Sequence, residues 1–293
     1  MSKQYGSQSM VAPLRRVLVK RPDAAFAVQD PDRWHYAGRP DLVVAQQEHG
    51  ALVSLLTQSG AEVIYHDEFQ PERADAIFVH DPALVTDEGA IILKMGKALR
   101  EGEEEALAQC LGALSIPVYY RLHGEARAEG GDLLWVDHDT LAVGLGFRTN
   151  REGLRQLSEA LSGLGARVLP VPLVYHRGPE ACLHLMSFIS IVDERLAVVY
   201  LPLMPVPFWE ALLEKGFRLV EVPDEEFDSM GCNVLATAPG RCVMLEGNPI
   251  TRDRLTAAGC RVETFRGREV SLKAEGGPTC LTRPIWRSGA EPA

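Results

Sequence analysis

The sequence predicts an α/β fold of five strand–strand–helix–strand (ββαβ) modules with pseudo-fivefold symmetry, closed into a ring across the termini. Three observations carry this expectation. One order of apolar runs recurs along the chain, and the copies begin at Asp75, Gly130, His184, Cys232 and Gly277, which lie 55, 54, 48 and 45 residues apart. The C-terminus offers only a single strand, and the N-terminus supplies the strand, helix and strand that complete it. Regular spacing of this length belongs to stacked or ring-forming repeats such as propellers. One domain, residues 1–293, then absorbs the whole chain, with 14–286 as the folded ring and 287–293 as a frayed tail.

The N-terminal share reads as a strand at Arg16–Lys20, a helix at Asp41–Ser59 and a strand at Glu62–His66. The first full copy runs through Asp75–Val85, Ala90–Lys94, a helix at Glu103–Leu111 and Pro117–Arg121. The second has Gly131–Val136, Thr140–Leu145, a helix at Arg151–Leu161 and Arg167–Val171. In that helix Leu154, Leu157, Ala160 and Leu161 recur at three- and four-residue spacing, and Thr149 or Asn150 can cap the first turn. The third is less regular, with Leu185–Val192, Leu196–Leu201, a helix around Pro207–Glu214 and Arg218–Val222. The fourth has Asn233–Ala238, Arg241–Glu246, a helix at Thr251–Ala258 and Arg261–Phe265. Asp193-Glu194 and Pro239-Gly240 supply turn chemistry between the first two strands of their copies. Pro278–Ile285 is the C-terminal strand.

Composition narrows the function. Of 293 residues 46% are hydrophobic and 24% charged, the balance of an ordinary soluble domain. Forty acidic against 30 basic residues give a formal charge of −10, which disfavours nucleic acid and anionic lipid as partners and suits a cationic small molecule. Met1–Arg16 holds no apolar core of signal-peptide length and no run reaches the roughly 18 apolar residues of a spanning helix, so the expectation is a cytoplasmic protein without membrane contact. The six cysteines form no CxxC pair and read mostly as reduced core residues, and the eight histidines show no metal-site spacing. Exposed helices leave room for a homodimer.

In or just before the first strand of each copy stands a reactive or hydrogen-bonding residue: Asp81, Glu129 with Asp132, His184, Asn233 and Cys280. Equivalent positions in a ring converge on its axis. A thiol, an imidazole and carboxylates brought together there are the parts of a nucleophile, a general acid/base and a cation clamp. Each residue also has a structural reading. Cys280 fits a small buried hydrophobe, His184 a core histidine, Glu129-Gly-Gly-Asp132 and Asp81-Pro82 turns, Arg148 a helix-entry residue and Asn233 a side chain bonded to backbone.

Taken as a set, Asp75-Ala-Ile-Phe-Val-His-Asp81, Glu129-Gly-Gly-Asp132 with Arg148-Thr-Asn150, His184-Leu-Met-Ser187 and Gly276-Gly-Pro-Thr-Cys280 follow one known order. From about Arg15 to Trp286 the chain resembles the guanidine-modifying (amidinotransferase) superfamily, and within it the dimethylargininases. The resemblance implies a five-bladed α/β propeller that needs no metal or organic cofactor. It implies Cys280 as nucleophile, His184 as general acid/base, Glu129 as the carboxylate that holds the guanidinium and orients the histidine, and Asp81 as a second guanidinium-binding carboxylate. Asp75, Arg148 and Arg100 match positions that grip the amino and carboxylate ends of an amino-acid substrate, and Asp132 stands with them as a binding residue. The implied activity is hydrolysis of a methylated arginine to citrulline and a methylamine through an amidino-cysteine intermediate. Arginine deimination, arginine dihydrolysis and amidino transfer to an amine are alternatives within the superfamily, and a non-catalytic ribosome-binding ring is one of another class. Two residues depart from the pattern. Met186 stands where deiminases and amidinotransferases carry an acid and dimethylargininases a lysine, and His80 stands where some dimethylargininases carry a second acid. Pro22–Arg39, polar and loop-like, is the candidate lid.

Overall fold

A computed structural model describes residues 4–288. Its strands are β1 Leu14–Val19, β2 Glu62–Tyr65, β3 Ala83–Thr86, β4 Gly89–Ile92, β5 Val118–Arg121, β6 Leu133–Asp137, β7 Thr140–Leu145 and β8 Arg167–Pro172. They continue as β9 Ile189–Asp193, β10 Leu196–Val199, β11 Arg218–Glu221, β12 Leu235–Ala238, β13 Arg241–Leu245, β14 Arg261–Phe265 and β15 Arg283–Arg287. Among the described residues these make five sheets of three strands, ordered β15-β1-β2, β3-β4-β5, β6-β7-β8, β9-β10-β11 and β12-β13-β14. In every sheet the middle strand runs antiparallel to the first-named and parallel to the last-named.

That mixed pattern fixes the rest. An antiparallel neighbour can follow a tight turn, whereas a parallel one needs a crossover, and in each sheet the crossover carries a helix. The helices are Leu42–Gln58, Glu103–Ala113, Arg151–Ser162, Val206–Glu214 and Pro249–Ala257. The Asn150 side chain accepts from the Gly153 amide, one of the two caps expected there, and Asp41, read as the first residue of its helix, instead caps it by accepting from the Val43 and Val44 amides. Every residue of β3, β4 and β10 is buried. The first and last strands of the chain share one sheet: β1 pairs antiparallel with β15 and parallel with β2.

The first strand of each module starts later than the sequence suggests. Instead of beginning at Asp75, Gly131, Leu185, Asn233 and Pro278, the strands begin at Ala83, Leu133, Ile189, Leu235 and Arg283. In three modules 3₁₀ turns at Ala74–Ile77, Gly130–Asp132 and Leu185–Ser187 precede them. The cause is that amides in these segments bond to the neighbouring module and are not free for a ladder. Gly131 N donates to Asp81 Oδ1 at 2.9 Å, Leu185 N to Asp132 Oδ1 at 2.9 Å, Val234 N to Ser190 Oγ at 3.2 Å and Thr279 N to Asn233 Oδ1 at 3.0 Å. His80 N donates to the Cys280 carbonyl at 3.2 Å. Each link joins one module to the next, and the last leads back to the first.

Two further expectations are corrected. Arg287 is not frayed: it ends β15, is buried, and its guanidinium donates to the carbonyls of Ala12 and Ala236. Residues 289–293 of the expected tail lie outside the described residues. Within 22–39, Phe26, Trp34 and Tyr36 are buried in the core around a short helix, Pro31–Trp34, because these aromatics gain more from burial than the flanking polar residues oppose. Among the described residues no helix is long and apolar enough to cross a membrane.

Ser190 tests the links between modules. Its hydroxyl donates to the Cys232 carbonyl at 2.7 Å while accepting from Val234 N, so Ser190→Ala removes two buried hydrogen bonds and leaves those backbone groups only their bond to each other at 3.1 Å. The expected cost is about 1–3 kcal/mol, read as a lower urea midpoint with an unchanged slope.

Candidate active site

The turns that link the modules also form a pocket. His184 is set at the start of the Leu185–Ser187 turn, where its own amide donates to Ser187 Oγ at 3.0 Å and its carbonyl accepts from Ser187 N at 3.0 Å. Its ring is held on both sides. Nε2 lies 2.7 Å from Glu129 Oε2, and Nδ1 lies 3.7 Å from Cys182 Sγ. Burial works against the imidazolium, but Cys182, Asp132 and the hydrogen bond to Glu129 outweigh it, and the pKa stands well above the ordinary histidine value.

Glu129 has no solvent exposure. Its Oε1 accepts from the Gly96 and Lys97 amides, both at 2.9 Å, and its Oε2 faces His184 and, at 3.5 Å, Arg148 Nη1. Burial alone would raise its pKa, yet the His184 contact and the nearby Arg148 bring it down to about 2. Cys280 lines the same pocket, with Asn233 Nδ2 at 3.4 Å from its Sγ. Burial first, then the charge of Asp81 and the neighbouring Cys182, push this thiol up to about 11, so it is protonated at neutral pH.

Asp81 and Arg148 also line the pocket. Asp81 spends Oδ1 on the Gly131 amide and Oδ2 on Arg100 Nη1 at 2.5 Å. Although burial opposes the charge, Arg100 and His184 hold the carboxyl below its usual range. The remaining residues singled out from the sequence lie in and around the pocket wall, Asp75 and Arg100 in its lining. Arg100 reaches the pocket wall, but Glu103 takes its Nε and Nη2, Asp81 its Nη1, and the Phe78 carbonyl a further Nη2 hydrogen. It is spent on its own chain rather than open to a substrate carboxylate. Asp75 accepts from the Tyr36 hydroxyl at 2.7 Å and from Lys97 Nζ at 2.7 Å.

Asp132 does not line the pocket. It lies fully buried behind His184, accepting from Leu185 N and, at 2.7 Å, from the Thr149 hydroxyl, and burial pushes its pKa up to about 6. His80 also turns away from the pocket. Its Nδ1 meets the Thr282 carbonyl at 2.9 Å, and burial together with Arg283 pushes its pKa down to about 3, leaving it a neutral tether. Met186 does line the pocket.

Two pocket residues escaped the sequence reading. Lys97 bridges Asp75 and the Trp34 carbonyl and sits 5.4 Å over the Trp34 ring. Cys182 read as a core cysteine, and the structure sets its sulfur beside the His184 ring in the pocket lining.

Comparison with known proteins identifies a family and relatives of the same fold. The family model of N,N-dimethylarginine dimethylhydrolases, eukaryotic, matches residues 41–247. An N(G),N(G)-dimethylarginine dimethylaminohydrolase of Streptomyces coelicolor is 29% identical over 273 residues, 92% of this chain and 96% of that one. The solved dimethylarginine dimethylaminohydrolase of Pseudomonas aeruginosa, in complex with citrulline, superposes with a TM-score of 0.77 at 24% identity, covering 92% of this chain and 98% of that one. The N-terminal domain of a cyanobacterial arginine dihydrolase gives 0.78 at 20% identity, covering 93% and 97%. The two structures share the fold.

Glu129→Gln keeps the size of the side chain and removes its charge. A histidine whose pKa is raised on folding stabilises the protein fully below its unfolded value of about 6.5, and that contribution is lost as pH rises through the folded value. The His184 titration midpoint, followed by its Cε1 proton resonance, is expected to fall in the variant, and this pH-dependent part of the stability to shrink. An unmoved midpoint would show that the pairing does not govern the imidazole.

Proposed function

The chain belongs to the N,N-dimethylarginine dimethylhydrolase family, hydrolases of carbon–nitrogen bonds in guanidino compounds, and from that premise we propose that it converts a methylated arginine to citrulline and a methylamine through a cysteine-bound intermediate. The observation that carries the reading is the convergence of Cys280, Asp81 and His184 on one pocket, with Glu129 paired to His184 behind the lining.

A guanidinium resists attack because its charge is delocalised over a planar group. Carboxylates localise that charge, and a thiolate is soft and nucleophilic enough to add to the central carbon. Cys280 starts as a thiol, and the arriving cation offsets the negative field of Asp81, so that the thiol gives its proton to solvent as the substrate binds and regains one after the product leaves. The Cys280 sulfur bonds to the guanidinium carbon, His184 gives its proton to the methylated nitrogen, and the carbon–nitrogen bond breaks to release the amine. His184, now neutral, takes a proton from water, whose oxygen bonds to the same carbon. The carbon–sulfur bond then breaks, leaving the ureido product and the thiolate.

Glu129 holds the imidazole from behind the pocket lining. Asp81 faces the cation, oriented by Arg100. Arg148 and the Asp75–Lys97 pair serve the amino-acid end of the substrate. Met186 has no charge with which to form the acidic clamp that the deiminase pattern places there. The five sheets act as the blades of a single five-bladed α/β propeller, a reading supported by the links that run from module to module and by the sheet that both chain ends share. The family match sets aside the non-catalytic ribosome-binding alternative.

Incubation with asymmetric dimethylarginine and, separately, arginine tests the reading, with products identified by mass spectrometry. Citrulline and dimethylamine are expected from the wild type, and Cys280→Ser is expected to lower turnover by roughly a thousandfold or more. Citrulline or ornithine formed faster from arginine would move the assignment to a deiminase or dihydrolase. A guanidinylated product in the presence of an added amine would make the protein a transferase. Titration of the Cys280 thiol should show a midpoint that falls when an unreactive alkylguanidinium is bound, and an unmoved or higher midpoint would refute activation by the substrate.

A further inference from the structure

We propose that Cys182 is a positioning residue of this site, holding His184 Nδ1 in the ligand-free protein and forming the wall against which the departing amine packs. The second half of this role rests on the hydrolase reading above. The argument begins with the two ring nitrogens of His184. Nε2 is taken by Glu129 at 2.7 Å, and Glu129 cannot swing aside because its other oxygen is fixed by the Gly96 and Lys97 amides in a site without solvent exposure. A proton for the leaving nitrogen must therefore come from Nδ1, the nitrogen that faces Cys182 Sγ at 3.7 Å.

A second feature marks the same place. Gly131 lines the pocket, and a Cβ added to it would overlap His184 Nδ1, so the missing side chain leaves that nitrogen reachable. The departing amine thus enters a space bounded by Gly131 and Cys182, and the sulfur must yield its place on Nδ1 as the amine arrives. Leu183 and Met186, from the same stretch of chain, line the pocket as well. This part of the pocket presents sulfur and aliphatic surface. Sulfur is polarisable and a weak hydrogen-bond acceptor, so methyl groups on the leaving nitrogen gain contact there, while the bare N–H groups of departing ammonia find no strong acceptor. Cys182 thereby favours a methylated guanidinium over an unmethylated one.

The test compares wild type, Cys182→Ser and Cys182→Ala by two readings. The first is the ratio of kcat/KM for asymmetric dimethylarginine to that for arginine. Serine keeps the size but offers a polar wall, and is expected to lower the ratio by about tenfold, the scale on which a pocket discriminates small apolar groups. The second is the ¹⁵N resonance of His184 Nδ1 in the ligand-free protein, expected to move in both variants while Nε2 stays in place. Equal losses on both substrates would overturn the wall, and an unmoved Nδ1 resonance would overturn the contact to the histidine. If the wild type hydrolyses neither compound, the hydrolase reading fails and the wall with it, and the Nδ1 resonance alone decides whether Cys182 holds the imidazole.

Discussion

A carboxylate with no access to water organises this protein. Transferring an ionised group such as Glu129 into the interior costs several kcal/mol or more unless charges and donors surround it. Glu129 meets that condition largely through other modules. Gly96 and Lys97 come from the preceding one, His184 from the following one, and Arg148 from its own. The Glu129–His184 ion pair therefore exists only once three modules have docked, and the hydrogen bonds that join those modules are the ones that build the pocket wall.

The pocket is also charge-balanced before any ligand enters. Asp81 is already paired with the Arg100 guanidinium, and Glu103 holds Arg100 from the other side with a carboxyl that burial pushes up to about 7. One face of Asp81 thus already accommodates a planar cation of the type the enzyme is proposed to bind. Its resident partner fixes the carboxylate in place, which reduces the reorganisation needed when a second guanidinium arrives. Asp75 is likewise paired with Lys97.

Much of this was legible in the residues. The module order could be read because each module must bury its own apolar strands and helix, and that demand repeats along the chain. The positions before the first strands could be read because register alone carries Asp81, Glu129, His184 and Cys280 to equivalent places. The beginnings of those strands could not, because they depend on which module captures the Gly131 and Leu185 amides, a long-range fact with no local signature. The partners of Arg100 were hidden for a similar reason. Glu103 reads as an acidic first-turn residue of a helix, and only packing turns it inward. Cys182 was missed because a cysteine beside leucines resembles core, and nothing local shows that its sulfur meets an imidazole.

The pairing of β1 with β15 bears on how the protein is made. Cys280 lies three residues before β15, the strand that pairs with the first strand of the chain. A ribosome releases the N-terminal modules first, and they can begin to dock while the last segment is still enclosed. Cys280 follows both Glu129 and His184 in the chain, so its thiol joins the pocket only after both of those residues have been made, and a chain that stops before Cys280 lacks that thiol together with the strand that pairs with β1.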